Sequence, residues 1–265
     1  MKKEKNNKKR RTFCVGDIHG NYRALLQCLE RSGFDKENDK LISLGDIADG
    51  WSEVSECVDT LLSIKNLVAI RGNHDVWCYD WFEYGRTPLI WTEQGGKATM
   101  SGYVRTGKLV EQSHKDFWKN QIDWYIDDEN RLFIHAGWGY TLRPIELSIG
   151  DVSDRKLFEL QAKTSVNAGS IAKECHWDRS LLMGAKFAFG NKMTKNGKFK
   201  ALEEFKEVYI GHTAENDGPN QYGNLWNLDT GAGWNGKLTI MDVDTKEFWQ
   251  SDFATLLYLD ERGRG

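Results

Sequence analysis

The strongest constraint on this chain is a unit written three times in its first third. Each time a short apolar run ends in a turn built on Gly and a polar residue. The runs are Thr12–Val15, Leu41–Leu44 and Leu67–Ile70. The turns are Gly16-Asp17-Ile18-His19-Gly20, Gly45-Asp46-Ile47-Ala48-Asp49-Gly50 and Arg71-Gly72-Asn73-His74-Asp75. Helical patterns follow the first two turns. Tyr22, Leu25, Leu26 and Leu29 share one helical face, and Val54, Cys57, Val58, Leu61 and Leu62 share another. Strands alternating with helices through right-handed crossovers make a parallel sheet. All three turns then lie at one edge of that sheet, and Leu67–Ile70 reads as a short buried strand.

The turns carry residues that can bind metal. Asp17 and His19 lie two apart, Asp46 follows the second strand, and Asn73 follows the third. Asp, His and Asn are hard or borderline ligands, suited to Mn, Fe or Zn. The short-spaced Cys pairs of a structural zinc site are absent. Any one of these residues reads equally well as a helix cap or a turn former. Three adjacent strand ends carrying them together read as a site. His74 follows Asn73 directly and can move a proton near neutral pH. Two later strands end in a similar way. Leu132–Ile134 runs into His135-Ala136-Gly137, and Val208–Ile210 into Gly211-His212-Thr213.

The remaining segments say less. The aromatic stretch Val76–Trp91 reads as a helical layer packed on the sheet, with a substrate-facing lip as the other reading. Glu93–Gly102 is Gly-rich without a Walker pattern and reads as a flexible turn. Phe117–Ile126 reads as a helix ended by the turn Asp127–Asn130. His114 is expected at the surface, and His176 as a hydrogen-bonding group on a helix. Leu225–Leu228 reads as a strand, and Leu238–Val243 with Glu247–Gln250 as a hairpin. Trp226 and Trp234 are expected to pack. Lys192–Lys200 reads as a solvated loop, with attraction of an anionic substrate as the alternative. Met1–Arg11 holds seven Lys or Arg and one Glu. It reads as a disordered basic tail rather than a signal peptide, with an RNA or anionic-surface tether as the sharper alternative. Residues 12–265 are expected to form one domain.

Composition excludes some classes. The net charge of −3 offers no general argument for nucleic acid. No apolar run approaches the ~18 residues of a membrane span. Five Cys without paired spacing suit reduced thiols, hence a cytoplasmic protein.

The segments GDIHG, GDIADG, GNHD, HAG and GHT, in this order from Gly16 to Thr213, resemble the signature of the calcineurin-like metallophosphoesterase superfamily. Within it the chain is most similar to phosphoprotein (serine/threonine) phosphatases of bacterial and phage type. The resemblance implies an α/β fold, an αββα sandwich of two central mixed β-sheets with a dimetal site at the sheet edge. It implies that Asp17, His19 and Asp46 hold one metal, that Asp46 bridges, and that Asn73, His135 and His212 complete the second. Two divalent ions are implied, Mn first, with Fe or Zn also compatible. His74 resembles the general acid, and Asp49 the carboxylate that orients it and favours its protonated form. In this region the family closes its second sheet with the hairpin that Leu238–Gln250 matches. Trp177-Asp178-Arg179 resembles a stretch that supplies a phosphate-binding Arg, and a guanidinium suits phosphate bidentately. The plain alternative for Arg179 is a surface salt bridge.

One departure bears on specificity. The family's phosphoprotein phosphatases carry an Arg directly after the residue matching Asp49, where this chain has Gly50. Three activities follow from the resemblance. The first is metal-dependent hydrolysis of phosphate monoesters, on a phosphorylated protein or small molecule, by water activated between the metals. The second is phosphodiester or dinucleoside polyphosphate hydrolysis, for which Gly50 leaves room. The third is an inactive binding scaffold, which the intact proton donor argues against.

Overall fold

The computed structural model describes residues 10–137, 175–190, 202 and 205–264. Short strands that are apolar on both faces need a covering layer on each side. β1 (Thr12–Val15), β2 (Lys40–Ser43) and β3 (Asn66–Ala69) run parallel in that order. The hairpin of β9 (Thr239–Asp242) and β10 (Phe248–Gln250) extends the same sheet, with β9 antiparallel to β1. The second sheet contains β4 (Trp124–Ile126), β5 (Arg131–Ile134), β6 (Glu207–Ile210), β7 (Asn220–Tyr222) and β8 (Leu225–Asn227). Its order is β4-β5-β6-β8-β7, with β5, β6 and β8 parallel and the outer two strands antiparallel.

Alternation along each strand sorts residues into layers. Phe13, Val15, Leu41 and Ile240 face helices α1 (Tyr22–Arg31), α2 (Val54–Leu62) and their neighbours. Cys14, Ile42 and Met241 face the other way and meet Phe133, Tyr209 and Leu228 of the second sheet. From that sheet Leu132, Ile134, Val208 and Ile210 turn outward to Leu181, Leu182 and Ala185. The result is an αββα sandwich of two mixed sheets, as the motifs imply. Among the described residues no helix is long and apolar enough to cross a membrane.

Several local expectations are corrected. Phe117–Ile126 is not one helix. The helix is Gln112–Asn120, and Ile122 then bonds to both Ala69 and Arg71 before β4 begins. Trp124 and Ile126 pack with one layer and Tyr125 with the other, so the apolar run has a strand period. Glu93–Gly102 is a turn only in its first part: Gln94 and Gly95 leave helical backbone angles and kink the chain, and the helix Lys97–Thr106 follows. Gly95 is needed because a side chain there would collide with the backbone of Gly50. The hairpin of β9 and β10 extends the first sheet, not the second. β3 is an edge strand and only half-buried. Leu26 and Leu62 are exposed, while Ala24 and Cys28 take the buried face of α1. His114 is buried, joined to Tyr103 Oη at 3.0 Å and Asp59 Oδ1 at 3.1 Å.

Arg11 belongs to the fold, since its guanidinium holds Asp39 Oδ2 and the Gly33 carbonyl, each at 2.6 Å. Residues 1–9 of the basic tail, and Lys192–Lys200, lie outside the described residues.

Phe133 and Tyr209 stack between the sheets with ring centroids 4.8 Å apart and planes 11° from parallel. Phe133 is fully buried. Phe133→Ala is expected to lower unfolding free energy by ~3–5 kcal/mol. Denaturant titration checks this: the midpoint should fall with the slope unchanged.

Candidate metal centre

Parallel strands point their C-terminal ends the same way, so the loops after β1, β2 and β3 share one rim. That rim carries Asp17 and His19, then Asp46 and Asp49, then Asn73 and His74 at the start of helix α3 (Asn73–Tyr84). The ends of β5 and β6 bring His135 and His212 to the same place from the second sheet. All eight are buried.

Hydrogen bonds fix which ring atoms face inward. His19 Nδ1 lies 3.0 Å from the Ala48 carbonyl, and His135 Nδ1 lies 2.9 Å from the Leu44 carbonyl. A carbonyl only accepts, so each ring carries its N–H there and turns Nε2 to the centre. His135 Nε2 stands 3.4 Å from Asp46 Oδ2 and 3.1 Å from Asn73 Oδ1. His19 Nε2 stands 3.6 Å from Asp46 Oδ2. Asp17 Oδ1 and His212 Nε2 are buried with no partner among the described residues. Acceptors thus face acceptors, an arrangement that calls for a cation. The ligand atoms of Asp17, His19 and Asp46 lie within 4.8 Å of one another, as do those of Asp46, His135 and His212. Asp46 belongs to both groups, and the mixed N and O donors suit a borderline divalent ion.

The titration behaviour agrees. Burial drives His19 well below the ordinary imidazole range, helped by the positive charge of Arg264. Burial, then the charge of His135, pushes His212 down to about 2. Burial opposes a proton on His135 too, but Asp46 outweighs it and raises that ring to about 9. A proton on His135 Nε2 does there what a cation would do. Burial also opposes charge on Asp46, yet His135 and His74 hold its carboxyl well below the usual range.

The backbone is bent to make this site. His19, Asp46, Asp49 and His212 all have positive φ, between 50° and 72°. Such conformations are uncommon outside Gly and persist where surrounding structure enforces them. Gly72 has no side chain because a Cβ would collide with Asp46 Oδ1. Asp75 ties the loops together, accepting from Ile47 N at 2.8 Å, and from Ala48 N, Gly72 N and Gln121 Nε2, each at 3.0 Å. Sequence reasoning gave Asp75 no role, although its place three residues after Gly72 is a helix-capping position.

His74 sits beside the centre, its ring 5.0 Å from that of His19 and outside both ligand groups. His74 Nδ1 is 2.6 Å from Asp49 Oδ2, and Nε2 is buried without a partner among the described residues. Asp49 is held in turn by Thr99 Oγ1 at 2.7 Å and Trp91 Nε1 at 2.8 Å. Neither Thr99 nor Trp91 carried a local sequence signal. The expected preference for a protonated His74 meets an opposing effect: burial pushes the ring down to about 3 and Asp49 well up.

Arg179 is exposed, and among the described residues it forms no salt bridge. Its charge acts on His212. His176 is a hydrogen-bonding group, with Nε2 3.0 Å from Asp123 Oδ1. Trp226 faces the inter-sheet layer, whereas Trp234 is partly exposed beneath the guanidinium of Arg264.

The chain is similar to known proteins along most of its length. The family model described as calcineurin-like phosphoesterase matches residues 10–216. A serine/threonine-protein phosphatase 1 of Salmonella typhimurium is 34% identical over 88% of this chain and 92% of its own length. A symmetrical bis(5'-nucleosyl)-tetraphosphatase of Pseudomonas fluorescens is 24% identical over 89% of this chain and 92% of its own. A serine/threonine phosphatase structure from Saccharomyces cerevisiae superposes with a TM-score of 0.56 at 14% identity. That superposition covers 93% of this chain and 82% of the other, and at such identity it speaks for the fold.

The shared position of Asp46 gives an unequal expectation. Asp46→Asn should weaken manganese binding at both groups, whereas His212→Asn should weaken one and leave the other. Equilibrium dialysis with elemental analysis distinguishes them. Full manganese content in the Asp46 variant would remove Asp46 from the ligand set.

Proposed function

The chain belongs to the calcineurin-like phosphoesterase family, and on that footing we propose that it hydrolyses phosphate monoesters with two divalent metal ions and a proton from His74. The observation that carries this reading is the His74–Asp49 pair beside two ligand groups that share one carboxylate. Asp17, His19 and Asp46 would hold one ion, and Asp46, Asn73, His135 and His212 the other. Manganese suits this donor set, with iron or zinc as alternatives. Bound there, the ions would acidify a water and neutralise phosphoryl oxygens.

The chain's own groups do the rest. Asp49 holds the His74 ring through Nδ1, leaving Nε2 as the atom that meets the leaving oxygen. A phosphoryl anion arriving beside the ring favours its charged form, against the effect of burial. His74 then gives its proton to the departing alkoxide. Thr99 and Trp91 keep Asp49 from turning away. Arg179, exposed and outside any salt bridge among the described residues, is assigned to an outer phosphate oxygen on the His212 side.

The natural substrate divides two ways. The relationship to a serine/threonine phosphatase favours a phosphoprotein. A second reading, dinucleoside polyphosphate hydrolysis, is favoured by the tetraphosphatase relative and by an aromatic rim. Trp77 lies 5.1 Å from the His74 ring and 5.0 Å from Trp177, which is 6.4 Å from His212. Two half-buried indoles at the mouth of the site offer faces on which a base can stack. Turnover of phosphopeptides, small monoesters, diesters and dinucleoside polyphosphates with added manganese separates these readings.

A leaving-group test addresses the proton. General acid help is worth ~10²–10⁴-fold and matters most when the leaving group is poor. His74→Asn should retain its metals and lose far more rate on a phosphoserine peptide than on an activated aryl phosphate. Asp49→Asn should show the same pattern more weakly. Equal losses on both substrates, or loss of metal, would take the proton-donor role from His74.

A further inference from the structure

One positive charge reaches the centre from the far end of the chain. Residues 254–264 run back across the loop that follows β2. Tyr258 stacks on Trp51 with centroids 4.8 Å apart. Glu261 accepts from Ser52 N at 3.0 Å and Ser52 Oγ at 2.8 Å. Arg264 N donates to the Gly233 carbonyl at 2.9 Å, which fixes the backbone where the side chain turns inward. The guanidinium lies over Trp234, 4.6 Å from the ring centroid. Its Nη1 reaches His19 Nε2 at 3.1 Å, and its Nη2 reaches Gln94 Oε1 at 3.3 Å. Nε is buried with no partner among the described residues, and no carboxylate among them pairs with the group. Gly50 leaves room for the approach: a Cβ there would stand 3.1 Å from Arg264 Cγ, closer than such contacts ordinarily come.

A guanidinium carries five N–H donors and cannot shed its charge. Here it is half-buried and faces one imidazole and one amide, both neutral acceptors. Its bond to His19 uses the lone pair that an ion would take. An ion held by His19 would take that lone pair and leave Nη1 without its acceptor. Nη1, now 3.1 Å from a ligand atom of the centre, would then be a charged donor in need of an acceptor, which a phosphoryl oxygen supplies. We propose that Arg264 binds the phosphoryl group of the substrate, entering over Gly50 on the His19 side of the centre. Arg179, whose charge acts on His212, would meet the same anion from the other ligand group. The proposal rests on the phosphoesterase reading of the site.

The test uses manganese-loaded protein with Arg264→Gln and Arg264→Lys. Calorimetry measures binding of inorganic phosphate, and kinetics on an aryl phosphate measure KM and kcat. The Gln variant should bind phosphate about 10- to 150-fold more weakly, the equivalent of one charged hydrogen bond or pair. Its KM should rise in step while its metal content stays at the wild-type level. The Lys variant should recover part of the loss, since it restores a charged donor without the planar guanidinium. Phosphate affinity equal to wild type in the Gln variant would overturn the proposal. So would a Gln variant that binds phosphate poorly only because it has lost metal. A wild-type protein that binds phosphate through Arg264 yet hydrolyses no phosphoester would instead refute the hydrolase reading and leave this assignment standing.

Discussion

Around Asp46 Oδ2 the chain buries acceptors against acceptors, with His135 Nε2 at 3.4 Å and His19 Nε2 at 3.6 Å. Lone pairs in that arrangement repel: Arg264 Nη1 meets His19 Nε2 at 3.1 Å, while Asp46 Oδ2 and His135 Nε2 stay face to face, which is costly when buried. The surrounding structure is organised to hold them there. Four residues of the centre accept positive φ, a conformation that costs on the order of 1–3 kcal/mol each. Asp75 spends its two oxygens on four N–H groups from three segments, so the loops after β2 and β3 move as one piece. The ring N–H of both His19 and His135 goes to a main-chain carbonyl. This fixes each tautomer without adding charge.

A second ring of groups sorts charge around that centre. The carboxylate of Asp49 is shielded from solvent by Trp91, Thr99 and His74, each of which also bonds to it. Beyond it Arg264 meets His19, Arg179 acts on His212, and Trp77 lies against His74 and Trp177. The His74–Asp49 pair is therefore held by neutral donors, while a cation and an aromatic face meet His19 and His74. The division follows the layers. Neutral hydrogen-bonding partners come from the helices on the first sheet, while the cations come from exposed segments that reach the rim.

What could be read in the sequence was whatever is local. Strand, Gly turn and polar residue lie within a few positions, so Asp17, Asp46, Asn73, His135 and His212 announce themselves by their neighbours. The stretch Phe117–Ile126 misled because a short apolar run supports both periods. The choice was made by main-chain bonds from Ile122 to β3 and its following turn. In Glu93–Gly102, Gly95 both kinks the chain and clears the distant backbone of Gly50. His114 looked polar by its surroundings in sequence, while its real neighbours, Tyr103 and Asp59, form a buried chain. The supports of Asp49 come from 42 and 50 residues away, and Arg264 meets His19 across 245. Separations of that size leave no pattern in a single sequence.

The side chains of the centre come from both sheets: Asp17, His19, Asp46 and Asn73 from one, His135 and His212 from the other. A cation seated among them binds only the docked arrangement, so mass action stabilises that arrangement in proportion to RT ln(1 + [ion]/Kd). A divalent ion bound there would therefore tie the two sheets together. Between them lies Cys14, wholly buried, with a thiol that burial keeps far above its ordinary range and hence unreactive. The same docking of sheet on sheet covers the sulfur of Cys14, a residue outside both ligand groups.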